Sequence, residues 1–253
     1  MKEPLYRLGL VSVSFRQHSP AEILKAAKAV GLSLIEWGSD IHAPSTDGER
    51  LREIAALQKE YGVECSSYGT YFRLGVTPME ELSSYIEAAR LLGTDVLRLW
   101  CGGKSGADMT TEERELLLDA CRQAASLAEK QGVTLCLECH KKTFTENPKD
   151  AVWLMEAVGS AHFRMYWQPF QWQSAEQNLK NAQTIAFYAE HLHVFHWKGK
   201  EKLPLSQGIK EWTEYLKAFS TPRTLLLEFM PNGKIEELAR ETEALRRMIG
   251  ERE

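Results

Sequence analysis

Val133-Thr-Leu-Cys-Leu-Glu-Cys-His-Lys-Lys-Thr-Phe-Thr-Glu-Asn-Pro148 is the stretch on which the reading of this chain turns. An apolar, strand-like run ends in an acid, Glu138. His140 follows two residues later, on the same face of an extended chain. After a threonine-rich turn, Asn147-Pro148 has the form of a helix start, with proline at the first helical position. A carboxylate at the exit of a buried strand is costly unless it is paired or ligates a cation. The layout recurs at Thr224-Leu-Leu-Leu-Glu228-Phe-Met-Pro231-Asn232. Two strands that each end in Glu and open into a helix point to a site built at strand ends.

Strand patterns fall at 7–13, 33–37, 63–68, 95–100, 133–138, 162–167, 192–197 and 223–229. Between them, apolar residues at helical spacing predict helices over 21–30, 47–61, 78–92, 110–131, 147–158, 177–190, 208–219 and 235–249. Gly31, Gly62, Gly93 and Gly132 mark helix stops just ahead of strands. Eight strand–helix pairs in 253 residues predict an α/β fold: a single (β/α)8 TIM barrel over residues 1–253, as one domain. A doubly wound sheet is the rival architecture. It would place a glycine-rich phosphate turn after the first strand, where this chain has Val13-Ser-Phe-Arg-Gln-His-Ser-Pro20.

The formal net charge is −4 with acids and bases interspersed, which excludes a basic nucleic-acid footprint. No apolar run approaches the roughly 20 residues of a membrane span. The first residues are too polar for a secretory signal. Five cysteines without framework spacing predict reduced thiols and a cytoplasmic protein, with a homo-oligomer left open. Cys136-Leu-Glu-Cys139-His140 matches the haem-attachment pattern, but positions 136 and 139 face opposite sides of an extended strand. Both are expected to be buried thiols. Gly102-Gly103-Lys104-Ser105-Gly106 lacks the full spacing of a nucleotide-binding loop and reads as a strand–helix connection.

Barrel chemistry sits at the C-terminal ends of the strands. Those ends carry Arg16, Glu36, Trp37, Tyr71, Arg98, Trp100, Glu138, His140, Gln168, His196, Lys198 and Glu228, whereas the opposite ends are mostly small or apolar. In His191-Leu-His-Val-Phe-His-Trp197, His196 shares a face with Leu192 and Val194, and His191 and His193 share the other. With the strand ending at 197, His196 is the expected rim residue, and His191 and His193 are expected to face outward beneath a helix.

Taken together, Gly31-Leu-Ser-Leu-Ile-Glu-Trp37, His42-Ala-Pro44, Val96-Leu-Arg98-Leu-Trp100-Cys-Gly102, Leu137-Glu138-Cys-His140, His196-Trp-Lys198 and Leu227-Glu228 resemble the xylose isomerase-like TIM barrel superfamily of sugar phosphate isomerases and epimerases. The resemblance covers nearly the whole chain. It implies one divalent ion held by Glu138, a sixth-strand acid, His196 and Glu228. The sixth strand departs from the pattern. It reads Trp167-Gln168-Pro-Phe-Gln171, so Gln168 stands where the superfamily has Asp. An amide oxygen can ligate a hard cation but brings no charge. Mn²⁺ or Mg²⁺, ahead of Zn²⁺, is therefore expected to bind weakly or to have been lost.

The resemblance further implies a sugar-derivative isomerase or epimerase acting on a ketose, keto acid or inositol-type compound. Glu138 and Glu228 would be the two proton carriers of an enediolate mechanism. His140, Arg98, Lys198, Trp100, Trp37 and Tyr71 would bind substrate. The alternatives are a lyase that dehydrates a keto-inositol, and a non-catalytic sugar-binding relative with a degenerate metal site.

Overall fold

In a computed structural model, residues 5–221 and 223–250 are described. Eight parallel strands close into a barrel: β1 (Tyr6–Val11), β2 (Leu34–Gly38), β3 (Glu64–Leu74), β4 (Val96–Cys101), β5 (Thr134–Glu138), β6 (Phe163–Trp167), β7 (Ala189–Val194) and, after a small hairpin, β10 (Arg223–Leu227). The hairpin pairs β8 (His196–Lys198) with β9 (Glu201–Leu203). Barrel closure comes from β1 lying parallel to both β2 and β10.

The helices are α1 (Pro20–Ala29), α2 (Gly48–Tyr61), α3 (Leu82–Leu92), α4 (Thr111–Gln131), α5 (Pro148–Val158), α6 (Ala175–Ile185), α7 (Ile209–Leu216) and α8 (Leu238–Ile249). Local sequence sets their limits. Ser19 and Thr110 each close a capping box with the glutamate three residues on. Asn147 caps α5 ahead of Pro148, as the opening stretch predicts. Gly132 ends α4 at φ 64°, a left-handed conformation that favours glycine. None of these helices is long and apolar enough to cross a membrane.

Two packing layers follow from strand alternation. Outward side chains such as Leu135, Leu137, Leu192 and Val194 join the large core beneath the helices. Inward ones include Val11, Cys136, Tyr166 and Leu226, which form a small separate cluster. All five cysteines are buried and free.

The strand expectation fails most at the seventh position. Helical spacing runs on to 190, but α6 ends at Ile185 and β7 already begins at Ala189. The strand therefore ends three residues early, at Val194 rather than 197. Parity along the segment is as expected, but the faces are exchanged. Leu192 and Val194 face the helices, while His191 and His193 turn into the barrel, where both rings pack edge-on against Tyr166. In a barrel wrapped by helices the apolar face of a strand is its outer one.

Candidate functional site

Above the small interior cluster, inward residues of several strands build one connected network. Glu36 is the inward side chain near the end of β2 and is fully buried. It accepts hydrogen bonds from Ser67 Oγ (3.0 Å) and Arg98 Nε (3.3 Å). Arg98, from β4, donates through Nη1 to Glu138 Oε2 at 2.8 Å. The same oxygen accepts from Trp100 Nε1 at 2.5 Å. Glu138 thus has one oxygen engaged by two donors, while Oε1 turns toward His193.

His193 stands at the centre of the network. Its Nε2 faces Glu36 Oε2 at 3.4 Å. Its Nδ1 is ringed by Gln168 Oε1 at 3.0 Å, Glu228 Oε2 at 3.5 Å and Glu138 Oε1 at 3.7 Å. Gln168 is oriented by its own amide, whose Nε2 donates to the Cys139 carbonyl at 3.1 Å and so presents the oxygen inward. Three strand ends beyond β7 therefore aim an oxygen at one imidazole nitrogen. Glu228 lies just after β10, and the next residue, Phe229, adopts φ 56°, a left-handed backbone unusual outside glycine and asparagine. Its N–H donates to Ser14 Oγ, which anchors that turn.

Burial and charge pull these groups apart. Burial pushes Glu36 up, but His193 and Arg98 outweigh it and hold the carboxyl at about 2. Glu138 is buried too, yet Arg98 and His193 keep it well below the usual carboxylate range. Among the described residues Glu228 makes no ion pair with a guanidinium, and Arg98 pulls on it only from longer range. Burial, reinforced by Glu138, pushes it up to about 7 against the pull of His193. Burial alone would lower His193, but Glu228 and Glu36 raise it to about 10, so the ring is an imidazolium at neutral pH. Two carboxyls side by side with opposite protonation preferences are the usual mark of an acid–base pair.

The network floors a cleft of about 290 Å³ walled by Arg16, Tyr71, Trp100, His140, Trp197 and Phe229. Trp100 lies against His140, with centroids 4.9 Å apart, and meets Tyr71 edge-on. Arg16 is fixed by Asp40 at 2.7 Å and by the Tyr71 hydroxyl at 2.8 Å.

Of the residues expected here, Glu138, Glu228, Gln168, Arg98, Trp100, His140 and Tyr71 meet in this cleft. Three do not. Trp37 faces outward and is fully buried, with its indole N–H donating to Gln58 of α2 at 2.7 Å. Its neighbour Glu36 is the inward residue. His196 lies beyond the end of β7 and packs toward Glu211 of α7, so His193 holds the place expected for it. Lys198, in the hairpin, lines a neighbouring cavity instead. Glu36, His193 and Asp40 join the expected set, and a correct end for the seventh strand would have found His193.

Space around Glu36 and Arg98 is tight. A Cβ on Gly69 would lie 2.6 Å from Glu36 Oε1 and 2.8 Å from Arg98 Nη2. Gly69→Ala should therefore displace the ion pair and cost about 1–3 kcal/mol, measurable by urea unfolding. Unchanged stability would mean that the network relaxes freely.

Two carboxylates, an amide oxygen and an imidazole are suitable donors for a divalent cation. Their present spacing is not that of a ligand shell. Among the described residues no group of three or more His, Cys, Asp or Glu is arranged to hold an ion. The donor types and the spacing disagree because the protonated His193 ring itself lies among the oxygens. Its positive charge takes the cation's electrostatic place. The donor chemistry is the better guide, since loss of that proton would free Nδ1 as a fourth donor.

The family model described as a xylose isomerase-like TIM barrel matches residues 24–248. No curated protein matches the sequence. Among solved structures, the chain superposes on the probable 3-DHS dehydratase AsbF of Bacillus anthracis with a TM-score of 0.77 at 18% identity, over 94% of this chain and 98% of that one. D-Psicose 3-epimerase of Clostridium cellulolyticum H10, solved with D-tagatose, gives 0.68 at 13%, over 96% and 98%. A xylose isomerase-like TIM barrel protein of Mycobacterium smegmatis, solved in complex with magnesium, gives 0.69 at 13%, over 96% of both chains. On the family match, the chain belongs to the xylose isomerase-like TIM barrels.

Proposed function

We propose that this protein is an isomerase or epimerase of a small sugar derivative, a ketose, keto acid or inositol-type compound, working by proton transfer at a carbon next to a carbonyl. The observation that carries this reading is the pairing of Glu138 and Glu228 across His193 with opposed protonation preferences. Glu228, at about 7, is matched to proton transfer near neutral pH and takes the substrate's C–H proton. Glu138, ionised at rest, is the second carrier: it returns to the opposite side of the bound carbon a proton drawn from the His193 imidazolium, whose Nδ1 lies 3.7 Å from Glu138 Oε1 and is reprotonated by Glu228, 3.5 Å away. Its hydrogen bonds from Arg98 and Trp100 hold its geometry until substrate oxygens compete for those donors. His140 and Tyr71 offer polar groups to substrate hydroxyls, and Trp100 offers an apolar face. The likeness to an epimerase and the family membership support an enzyme of sugar chemistry.

A divalent ion, Mn²⁺ or Mg²⁺, would be held by Glu138, Gln168, His193 and Glu228. When bound, it polarises a substrate carbonyl and acidifies the neighbouring C–H. Because His193 is protonated and Glu228 about half protonated at pH 7, adding Mn²⁺ should release between one and two protons per ion, readable in a pH-stat. Gln168→Asp adds a charged ligand and should tighten binding by about tenfold or more. Equal affinity in that variant would remove Gln168 from the ligand set.

The likeness to a probable dehydratase favours a second reading, in which the same proton abstraction is followed by loss of a hydroxyl. Product analysis separates the two. An epimerase returns deuterium to an unchanged carbon skeleton, whereas a dehydratase yields an unsaturated product one water lighter. The five buried, free thiols suit a reducing compartment, and we place the protein in the cytoplasm.

A further inference from the structure

The neighbouring strands β1, β2 and β3 bring Arg16, Asp40 and Tyr71 together at one side of the cleft. Arg16, at the end of the turn after β1, is held there by three bonds. Its Nε donates to Asp40 Oδ2 at 2.7 Å, Nη2 to the Tyr71 hydroxyl at 2.8 Å and Nη1 to the Val13 carbonyl at 3.1 Å. The Tyr71 hydroxyl in turn donates to Asp40 Oδ2 at 3.1 Å, so these two acceptors lie side by side along one edge of the guanidinium. A guanidinium has five N–H donors. Three of them are engaged among the described residues, which leaves one on each Nη nitrogen. The side chain lines the cleft and is 39% exposed, against 5% for Arg98 on the floor. A fixed guanidinium with two donors to spare, open to a cleft, can take a second partner. Arg98 shows the same residue type bridging two carboxylates in this protein.

Charge around the cleft decides what that partner is. The acids of its lining are Glu138 and Glu228, both on the floor, whereas Arg16 and Lys141 stand exposed above them. Lys141 lies over the Trp172 ring and has no carboxylate partner among the described residues. On the floor, Arg98 and His193 are already taken up by carboxylates. An anionic group is therefore repelled by the floor and accepted at the mouth, although the whole chain carries a net charge of −4. This gives the substrate one direction, with its carbonyl at the two glutamates and its charged end at Arg16. Two N–H groups on one guanidinium match the paired oxygens of a carboxylate or phosphate, whereas a hydroxyl would leave one idle. We propose that Arg16 is a specificity-determining residue and that the cleft takes an anionic sugar derivative, whose carboxylate or phosphate, at the end away from the carbonyl, is held by the free Nη donors of Arg16. The proposal rests on the reading of the cleft as the substrate site and narrows it to charged compounds.

The test is isothermal titration calorimetry on the full chain with paired ketoses that differ only in whether the end away from the carbonyl is charged. D-Fructose 6-phosphate is set against D-fructose, and 5-keto-D-gluconate against L-sorbose. The charged member of at least one pair should bind more tightly than its twin by about tenfold or more, a preference that shrinks with added salt. Which pair responds tells phosphate from carboxylate. Arg16→Gln should weaken the charged member by about tenfold or more and its twin by about threefold at most. Arg16→Lys, which keeps the charge but loses the paired donors, should restore part of the loss. The proposal is overturned if neither charged member outbinds its twin, or if the preference survives in Arg16→Gln. An equal loss for both twins would overturn it as well, since a merely structural residue would act that way. Binding is read without turnover, so the two readings fail separately. A charge preference without deuterium exchange in the parent would sink the isomerase reading alone. Exchange confined to uncharged ketoses would sink this proposal alone.

Discussion

Glu228→Gln is expected to abolish exchange of the substrate's acidic C–H with solvent deuterium, a loss of roughly two to four powers of ten. Glutamine keeps the shape and reach of the side chain but cannot accept the proton. The variant should fold, because a neutral side chain replaces a carboxyl that already resists ionisation, at about 7. The same group predicts a pH profile. As a base it works only when deprotonated, so parent exchange should rise with pH through about 7 and then level off. Glu138→Gln should also abolish exchange, but for an additional reason. It removes the negative charge that the Arg98 and Trp100 donors engage, although the amide oxygen can still accept from them. The measurement is deuterium wash-in by mass spectrometry on each purified variant. Full exchange in either variant removes that glutamate from the mechanism.

Arg98→Met should produce the largest loss of stability. Arg98 is 4% exposed and bridges two buried carboxylates, Glu36 and Glu138. Removing it leaves both carboxylates to share His193. Breaking a buried pair in this way costs about 3–5 kcal/mol, which for a chain of this size lowers Tm by roughly 6–20 °C. The pH dependence has a definite sign. In the parent, Glu36 is depressed from 4.5 to about 2 and so stabilises the fold above 4.5. That contribution disappears as pH falls through about 2. Without Arg98 both carboxyls protonate at higher pH, which relieves the buried charge. The deficit of Arg98→Met should therefore be greatest at neutral pH and narrow as pH falls through the ordinary carboxylate range. A deficit independent of pH would assign the loss to packing rather than to the ion pairs.

Seven of the strands were legible as short apolar runs between helical patterns, several of which end in glycine. Glu138 and Glu228 were legible as acids at the exits of such runs, and Arg98 and Trp100 as the alternate, inward residues of β4. The seventh strand was not. The pattern at 186–190 continues the helix in register, and nothing local stops it at Ile185. That error moved the rim from His193 to His196. It was compounded by taking the apolar face of the strand as the inner one, when Leu192 and Val194 pack beneath the helices. Trp37 misled for the same reason. Its indole suits a sugar site, yet parity turns it to Gln58 and turns Glu36 inward. Glu36 was visible only as one of several charged residues at the strand ends. Its role in the network appears only when β2, β4 and β7 are brought together around it.

The most direct test is deuterium wash-in by the parent protein with a panel of ketoses, keto acids and keto-inositols, with and without Mn²⁺. The two-glutamate scheme predicts exchange at the carbon next to the carbonyl of at least one of them. It also predicts that this exchange rises through about pH 7 and is lost in Glu228→Gln. Saturable binding of such compounds in the cleft with no exchange at any pH would contradict it, and would make the protein a sugar-binding relative rather than an enzyme.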